Sequence, residues 1–230
     1  MEKKELRKIT KEELDMILKN HEQWLKTEGK DGERANLSYT DLTGVDLIWA
    51  NLSGANLSWT NLHGAMLAYA NLQGSNLSGA NLKYAYLVGA DLTSADLKDA
   101  NLNDAELTNA NLTYVKNFPN IPMACPDSGS FIGWKHARNH IVKLEIPEDA
   151  KRSSGTGEKC RCNKATVLAI ENKDGTSADV TEVCSDYDRN FIYKVGETVI
   201  VDDFDDNRFN ECAPGIHFYM DRDSAVSCGY

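Results

Sequence analysis

Two stretches in the last third of the chain carry residue types suited to chemistry. Cys160 and Cys162, with Cys212 and His217 further on, offer Cys-x-Cys and Cys-x4-His spacings, four suitable ligands for a tetrahedral zinc ion. The spacing is not that of a familiar zinc module. The leading expectation is unlinked structural thiols, with a disulfide such as Cys160 to Cys212 as a further alternative. Cys212 and His217 would also make a thiol nucleophile and its base, although no third group to orient the imidazole can be named. Beside them Lys151, Arg152, Lys159, Arg161 and Lys164 surround the glycine- and serine-rich "SSGTG", opposed only by Glu158. Such a rim would cradle a phosphate or nucleotide, but it is no Walker motif, and the plainer expectation is a flexible charged loop. The acidic "DDFDDNRFNE" would pair with that rim or hold a cation, though its spacing is not an EF-hand's.

The elements around these residues read as β-structure. From Phe131 onward, apolar runs "HIVKLEI", "KATVLAIEN", "ADVTEVC", "FIYKV" and "ETVIV" alternate with turn segments such as "NKDGT", and a short helix is expected near 221–228. Upstream, "VKNFPNIPMACPDSGS" holds Pro119, Pro122 and Pro126 and reads as a boundary. At the other end "TKEELDMILKNHEQWLKTEG" is an amphipathic helix, with Thr10 and Glu13 as a capping box and Gly29 as its stop. Leu14, Ile17, Leu18, His21, Trp24 and Leu25 fall on one face.

Composition narrows the function classes. The 230 residues carry 35 acidic and 25 basic side chains, a net charge of −10, which argues against a protein that coats phosphate backbones. No direct nucleic-acid binding and no membrane insertion are expected, nor a cofactor. With six cysteines and no apolar leader in "MEKKELRKITKEE", the chain reads as soluble, intracellular and cytoplasmic.

Between these ends leucine occupies every fifth position from Leu37 to Leu112, sixteen in succession. On a helix a step of five would scatter them around the cylinder, and in a straight strand they would alternate faces. A chain that bends once per pentad resolves this: each leucine and the small residue two before it point inward while the other three point out.

That pattern, a small residue, then Asn or Asp, then Leu, then two variable residues, resembles the pentapeptide-repeat family across residues 35–114. The resemblance implies a right-handed quadrilateral β-helix of four pentads per coil, hence four coils. The expected fold is therefore mainly β, with an N-terminal amphipathic capping helix over 1–34 that plugs the first coil, the β-helix over 35–114, a Pro-rich linker over 115–130 and a small β-rich α+β domain over 131–230. Through "FIGWK", "AKRSSGTGEKCRC", "YKVGETV" and "ECAPGIHFY" the last domain is similar to an uncharacterised one that follows pentapeptide repeats in phage and bacterial proteins.

If residues twenty apart share a side, Tyr39 stacks on Trp59 and Trp49 on Tyr69. One side then gathers Ile48, Trp49, Met66, Ala68, Tyr69, Tyr86 and Val88 into an apolar patch, while the other three are polar. Such a patch needs a cover: the chain itself, a second copy in a homodimer, or a foreign protein. Asp91, Asp96 and Asp99 belong to an acidic group on the last coils, either an ordinary solvated face or a weak likeness to the duplex-mimicking, gyrase-protecting members of the family. The expected function is a non-enzymatic interaction protein, one reading being an inhibitor of a host nucleic-acid enzyme or defence complex. The alternative is a small-ligand or nucleotide-binding second domain carried on a scaffold.

Overall fold

Leucine can be buried at every fifth position because the backbone turns a corner in each pentad. The Ala50 amide donates to the Leu47 carbonyl (3.0 Å) across a turn whose third residue, Trp49, has φ 61°. This is the signature of a type II turn. The residue two after each leucine, from Tyr39 and Gly44 to Asn109 and Tyr114, lies in the same left-handed region. The computed structural model describes residues 5–210 and 212–228 and separates them into two compact units, divided between Ile121 and Pro122.

In the first unit parallel bridges join residues twenty apart, from Asn36 with Asn56 to Asp96 with Lys116. Each rung is pinned on both sides of the bridge: Leu37 N–H donates to the Asn56 carbonyl (2.8 Å), and Asn56 N–H to that of Ala35 (2.9 Å). The Asn or Asp before each leucine holds its own corner. Asn36 Oδ1 accepts from the Ser38 amide (3.2 Å) and hydroxyl (2.8 Å), and Asn56 Nδ2 donates to the same oxygen from the rung above (3.1 Å). Leucines from Leu37 to Leu107 are buried, as are most of the small residues between them, including Ala55, Ala65, Ser75 and Ala90. Leu112 departs from the expected series. It is only half-buried, because the bridges stop at Lys116 and no further rung covers it.

Before the repeats, β1 (Arg7–Lys8) pairs in parallel with β2 (Thr40–Asp41), which occupies one edge of the first rung. Helix α1 (Lys11–Lys26) carries the expected capping box: the Thr10 hydroxyl accepts from Glu13 N–H (3.2 Å), and the Glu13 carboxylate from Thr10 N–H (2.9 Å). Gly29, at φ 84°, ends it by donating to the Trp24 carbonyl (2.8 Å). Leu14 and His21 are the buried residues of its inner face, and His21 Nδ1 accepts from the Ala35 amide (3.2 Å) at the first pentad. Burial pushes the pKa of His21 down, in keeping with a packed histidine.

The second unit is antiparallel. Its four-stranded sheet has the order β10 (Thr198–Ile200), β7 (Lys164–Asn172), β4 (His140–Ile146), β3 (Phe131–Ala137). A second sheet has the order β11 (Ile216–Phe218), β6 (Cys160–Cys162), β5 (Arg152–Ser154). β8 (Glu182–Cys184) and β9 (Ile192–Lys194) make a short ribbon, and α2 (Arg222–Ser227) follows. Paired backbone bonds between Trp134 and Tyr219, both 2.8 Å, stitch the two larger sheets together. Their shared core holds Val142, Leu144, Ile146, Val167, Tyr193, Ile216 and Phe218. A Cβ at Gly133 would stand 2.5 Å from Phe218, so the close approach there needs glycine. Cys125, expected within a linker, is buried in this core, and Ala124 N–H donates to Ser154 Oγ (2.8 Å).

Candidate functional site

Tyr39, Trp49, Trp59, Tyr69, Tyr84 and Tyr114 stand on the left-handed corners, whereas Tyr86 stands at a bridge position before its leucine. Trp49 stacks on Tyr69 with centroids 4.4 Å apart and planes 11° from parallel. Tyr39 and Trp59 stack at 6.3 Å. Both pairs are twenty residues apart, as the sequence spacing predicts. The next position on the wall of Trp49 is Gly89, where a Cβ would lie 2.6 Å from the Tyr69 ring. The Tyr69 ring is thus held between Gly89 on one face and Trp49 on the other, and the indole is the ring that ends the stack.

Of the seven residues expected on the apolar wall, six reach the surface. Trp49 is 71% exposed and Tyr69 49%; Ile48, Met66 and Tyr86 are exposed as well, and Val88 is half-buried. Ala68 is the exception at 4%. Its methyl group is too short to clear the longer side chains on the rungs beside it, Ile48 and Val88. Helix α1 borders Trp49 across a groove of about 510 Å³ lined by Leu18 and Leu25, but leaves the indole uncovered. Trp59 and Tyr84, which the sorting by faces leaves among the polar sides, are also exposed. They occupy the same corner position as Trp49, and that position is the signal that would have found them.

The acidic group is divided. Asp91 accepts from the amide and hydroxyl of Thr93 (2.9 and 2.5 Å), and Asp96 from Lys98 N–H (3.0 Å) and Asn117 Nδ2 (2.8 Å). The Asn117 bond holds the Asp96 carboxyl below the usual carboxylate range. Both carboxylates therefore do the corner-holding work that asparagine does elsewhere in the repeats. Asp99 stands exposed on a corner of its own, at φ 56°.

In the second unit the basic rim is not an open loop. Arg152 and Arg161 sit on the paired strands β5 and β6, with Gly155 and Thr156 buried between them. Arg152 spends its guanidinium on the carbonyls of Gly129, Pro147, Glu148 and Ala150. Arg161, 3% exposed, spends its own on those of Pro214 and Asn207. Lys151 pairs with Asp206 (3.0 Å), and Lys164 with Asp149. The expected pairing of the acidic stretch with the rim thus occurs at Lys151, and Arg208 adds bonds to the Ser154 and Gly155 carbonyls; Glu211 lies outside the described residues. Of the five basic residues, Lys159 lines a cavity together with Lys135.

Nor do the zinc candidates converge. Register pairs Arg161 with His217, so these two share one face of their sheet, while Cys160 and Cys162 alternate to the other, into the core. No cluster of three or more metal-binding side chains occurs among the described residues, and all six thiols are free. The proposed Cys160–Cys212 disulfide fails for the same reason: Cys160 is buried in the core and Cys212 is exposed. The hydrogen bond with the neighbouring Cys125, together with burial, raises the Cys160 thiol, and burial pushes Cys162 up to about 12. Cys212 and His217 do line one cavity, but no hydrogen bond joins them. Burial, reinforced by Lys159, Lys135 and Arg161, pushes His217 down to about 3. An imidazole so reluctant to take a proton is a poor base.

Among the described residues no helix is long and apolar enough to cross a membrane. None of the curated proteins matches the chain. Residues 121–225 match a family of unknown function, DUF5758, and residues 33–113 match pentapeptide repeats in three overlapping segments. Among solved structures the chain is similar to HetL of the cyanobacterium Nostoc sp. strain PCC 7120, a pentapeptide repeat protein involved in heterocyst differentiation regulation, at 42% identity over 36% of this chain and 39% of that one (TM-score 0.36). It is also similar to Rfr23 of Cyanothece 51142, at 41% over 35% and 52% (TM-score 0.30), and to alr5209 of Nostoc, at 32% over 42% and 71% (TM-score 0.23). The chain thus spans 39% and 52% of the lengths of the first two. With the repeat match lying over the same residues whose leucines are buried and whose rungs pair twenty apart, the chain belongs to the pentapeptide-repeat family.

Proposed function

We propose that this protein is a non-enzymatic binding module. Its repeats form a four-sided rod closed at the N-terminal end by α1, and a protein partner docks on the wall of Ile48, Trp49, Met66, Tyr69, Tyr86 and Val88. A period of twenty residues with a corner in every five supports four sides. The inner face of α1, with His21 accepting from Ala35 N–H, supports the closure.

The single observation that carries the docking reading is the stacked, exposed Trp49–Tyr69 pair. Large flat rings held rigid by each other lose little freedom on binding, and buried aromatics of this kind dominate interface energies. The carboxylates carry less of the argument, since Asp91 and Asp96 already serve their own corners. Six free thiols suit a reducing compartment such as the cytoplasm.

The test compares the wild-type chain with a Trp49→Ser, Tyr69→Ser variant. Sedimentation reads whether the occupant is a second copy, and quantitative capture reads a foreign protein. The proposal expects one of these associations in the wild type and its loss in the variant. A wild type that stays monomeric and recovers the same proteins as the variant would overturn it.

A further inference from the structure

The alternation of β3 places Gly133, Lys135 and Ala137 inward, so a lysine stands where the pattern calls for an apolar residue. Lys135 is 7% exposed. Its ammonium lies 5.8 Å from the centroid of the Tyr193 ring, and among the described residues it makes neither a hydrogen bond nor an ion pair. Asp186 is the acid whose charge reaches it, but that carboxylate is already engaged by His136 Nδ1 (3.0 Å) and Arg138 N–H (2.6 Å). A buried, unanswered ammonium is expensive, and methionine or leucine would fill the same volume at no such cost.

Lys135 does not face sealed core. It lines a cavity of about 580 Å³, within the range of small-molecule sites, together with a second cation, Lys159. Flat walls come from Tyr187, Phe191 and Tyr193, and His217 and Ser185 add polar groups to the lining. Phe191 and Tyr193 pack edge to face at 5.3 Å, which fixes both rings. Asp188 is the one carboxylate on this lining among the described residues, and it is exposed, with Oδ1 accepting from Asn190 N–H (2.8 Å). The interior of the cavity is therefore positive and aromatic.

We propose that this cavity binds a small aromatic anion, its carboxylate or phosphate group held between Lys135 and Lys159 and its ring against Phe191 and Tyr193. The site shares only Lys159 with the basic rim read in the sequence, whose other four members are engaged elsewhere, and it stands whether or not the apolar wall binds a protein. Burial lowers the pKa of Lys135, with Lys159 adding to the effect and Asp186, Cys228 and Cys162 opposing it. An arriving anion favours the protonated amine, so affinity falls as pH rises through that lowered pKa.

The experiment is calorimetric titration of the full chain with benzoate and with phenyl phosphate, benzylamine serving as the cationic control. At least one anion binds and benzylamine does not; the order of the two anions tells a carboxylate site from a phosphate site. Lys135→Met and Lys159→Met each weaken binding at least about tenfold, the loss of one charge-assisted contact. Lys151→Met, outside the cavity, leaves binding unchanged. Lys135→Met melts no lower than the wild type, because it removes a buried charge, so lost binding is not lost folding. No binding of either anion at about 10 mM, equal binding of benzylamine, or unchanged affinity in Lys135→Met would each overturn the proposal.

Discussion

Placing an alanine at two corner glycines separates the cost of the corner from the cost of the stack. Gly74 and Gly89 have nearly the same backbone, φ 62° and 64°. A Cβ at Gly74 meets nothing within 4 Å, whereas one at Gly89 would lie 2.6 Å from Cδ1 and Cε1 of Tyr69. Alanine in the left-handed region costs about 1 kcal/mol at either site. At Gly89 the Tyr69 ring must also move, and it is pressed on its other face by Trp49 at 4.4 Å. Shifting it forfeits a stacking contact of about 0.5–1.5 kcal/mol and strains the neighbours by about 1–3 kcal/mol. Gly74→Ala is thus expected to cost about 1 kcal/mol and Gly89→Ala about 2.5–5.5. Urea unfolding in a Trp134→Phe background, which leaves the tryptophan signal to Trp24, Trp49 and Trp59 of the first unit, reads both. Adding Tyr69→Ala should remove most of the extra cost at Gly89. Equal losses at the two glycines, or no relief from Tyr69→Ala, would refute the twenty-residue register of that wall.

Other expectations follow from the polar and sulfur groups. Asp96→Asn keeps both acceptor bonds and should change stability by less than about 0.5 kcal/mol at pH 7, while Asp96→Ala should lose about 1 kcal/mol in the same urea assay. The Asp96 carboxyl has its pKa lowered on folding, so its contribution is present above the ordinary aspartate pKa and fades as pH falls through the lowered one. Asp96→Ala should therefore show a shallower loss of stability in acid than the wild type. In the second unit His217 stays neutral down to about pH 3 when folded but takes a proton near 6.5 when unfolded. It should cost stability by up to about 1.4 kcal/mol per pH unit as pH falls across that window, and His217→Gln should flatten the slope. Thiol titration of the native chain should show Cys212 and Cys228 reacting fast, with Cys125, Cys160 and Cys162 reacting only after denaturation, because the first two are exposed and the other three are buried. Fast reaction of Cys160 would contradict the packing of β6.

What was legible in the sequence was whatever repeats locally. Leu37 to Leu107 are buried because spacing alone defines the corner, and Trp49 and Tyr69 meet because a fixed count carries one to the other. The runs "HIVKLEI" and "KATVLAIEN" coincide with β4 and β7 for the same reason, their alternation being local. The basic rim could not be read that way. Arg161 finds its acceptors in Asn207 and Pro214, 46 and 53 residues downstream, so its charge looks available until the chain is folded. The zinc set failed at the pairing of β6 with β11, which sends Cys160 and Cys162 to one side of a sheet and His217 to the other. Lys135 was hidden by the same ignorance of partners. In "FIGWKHA" it looks like one more surface lysine, and only the sheet shows that its position points inward.

The docking reading turns on whether binding follows the aromatic wall or the rod as a whole. The direct measurement is a side-by-side quantitative capture and sedimentation series on three forms: wild type, the Trp49→Ser, Tyr69→Ser variant, and a control with Gln73→Glu on a polar wall. A single association present in the wild type and the control but absent from the serine variant is the predicted result. An association that survives in the serine variant, or that the polar-wall control abolishes instead, would contradict it.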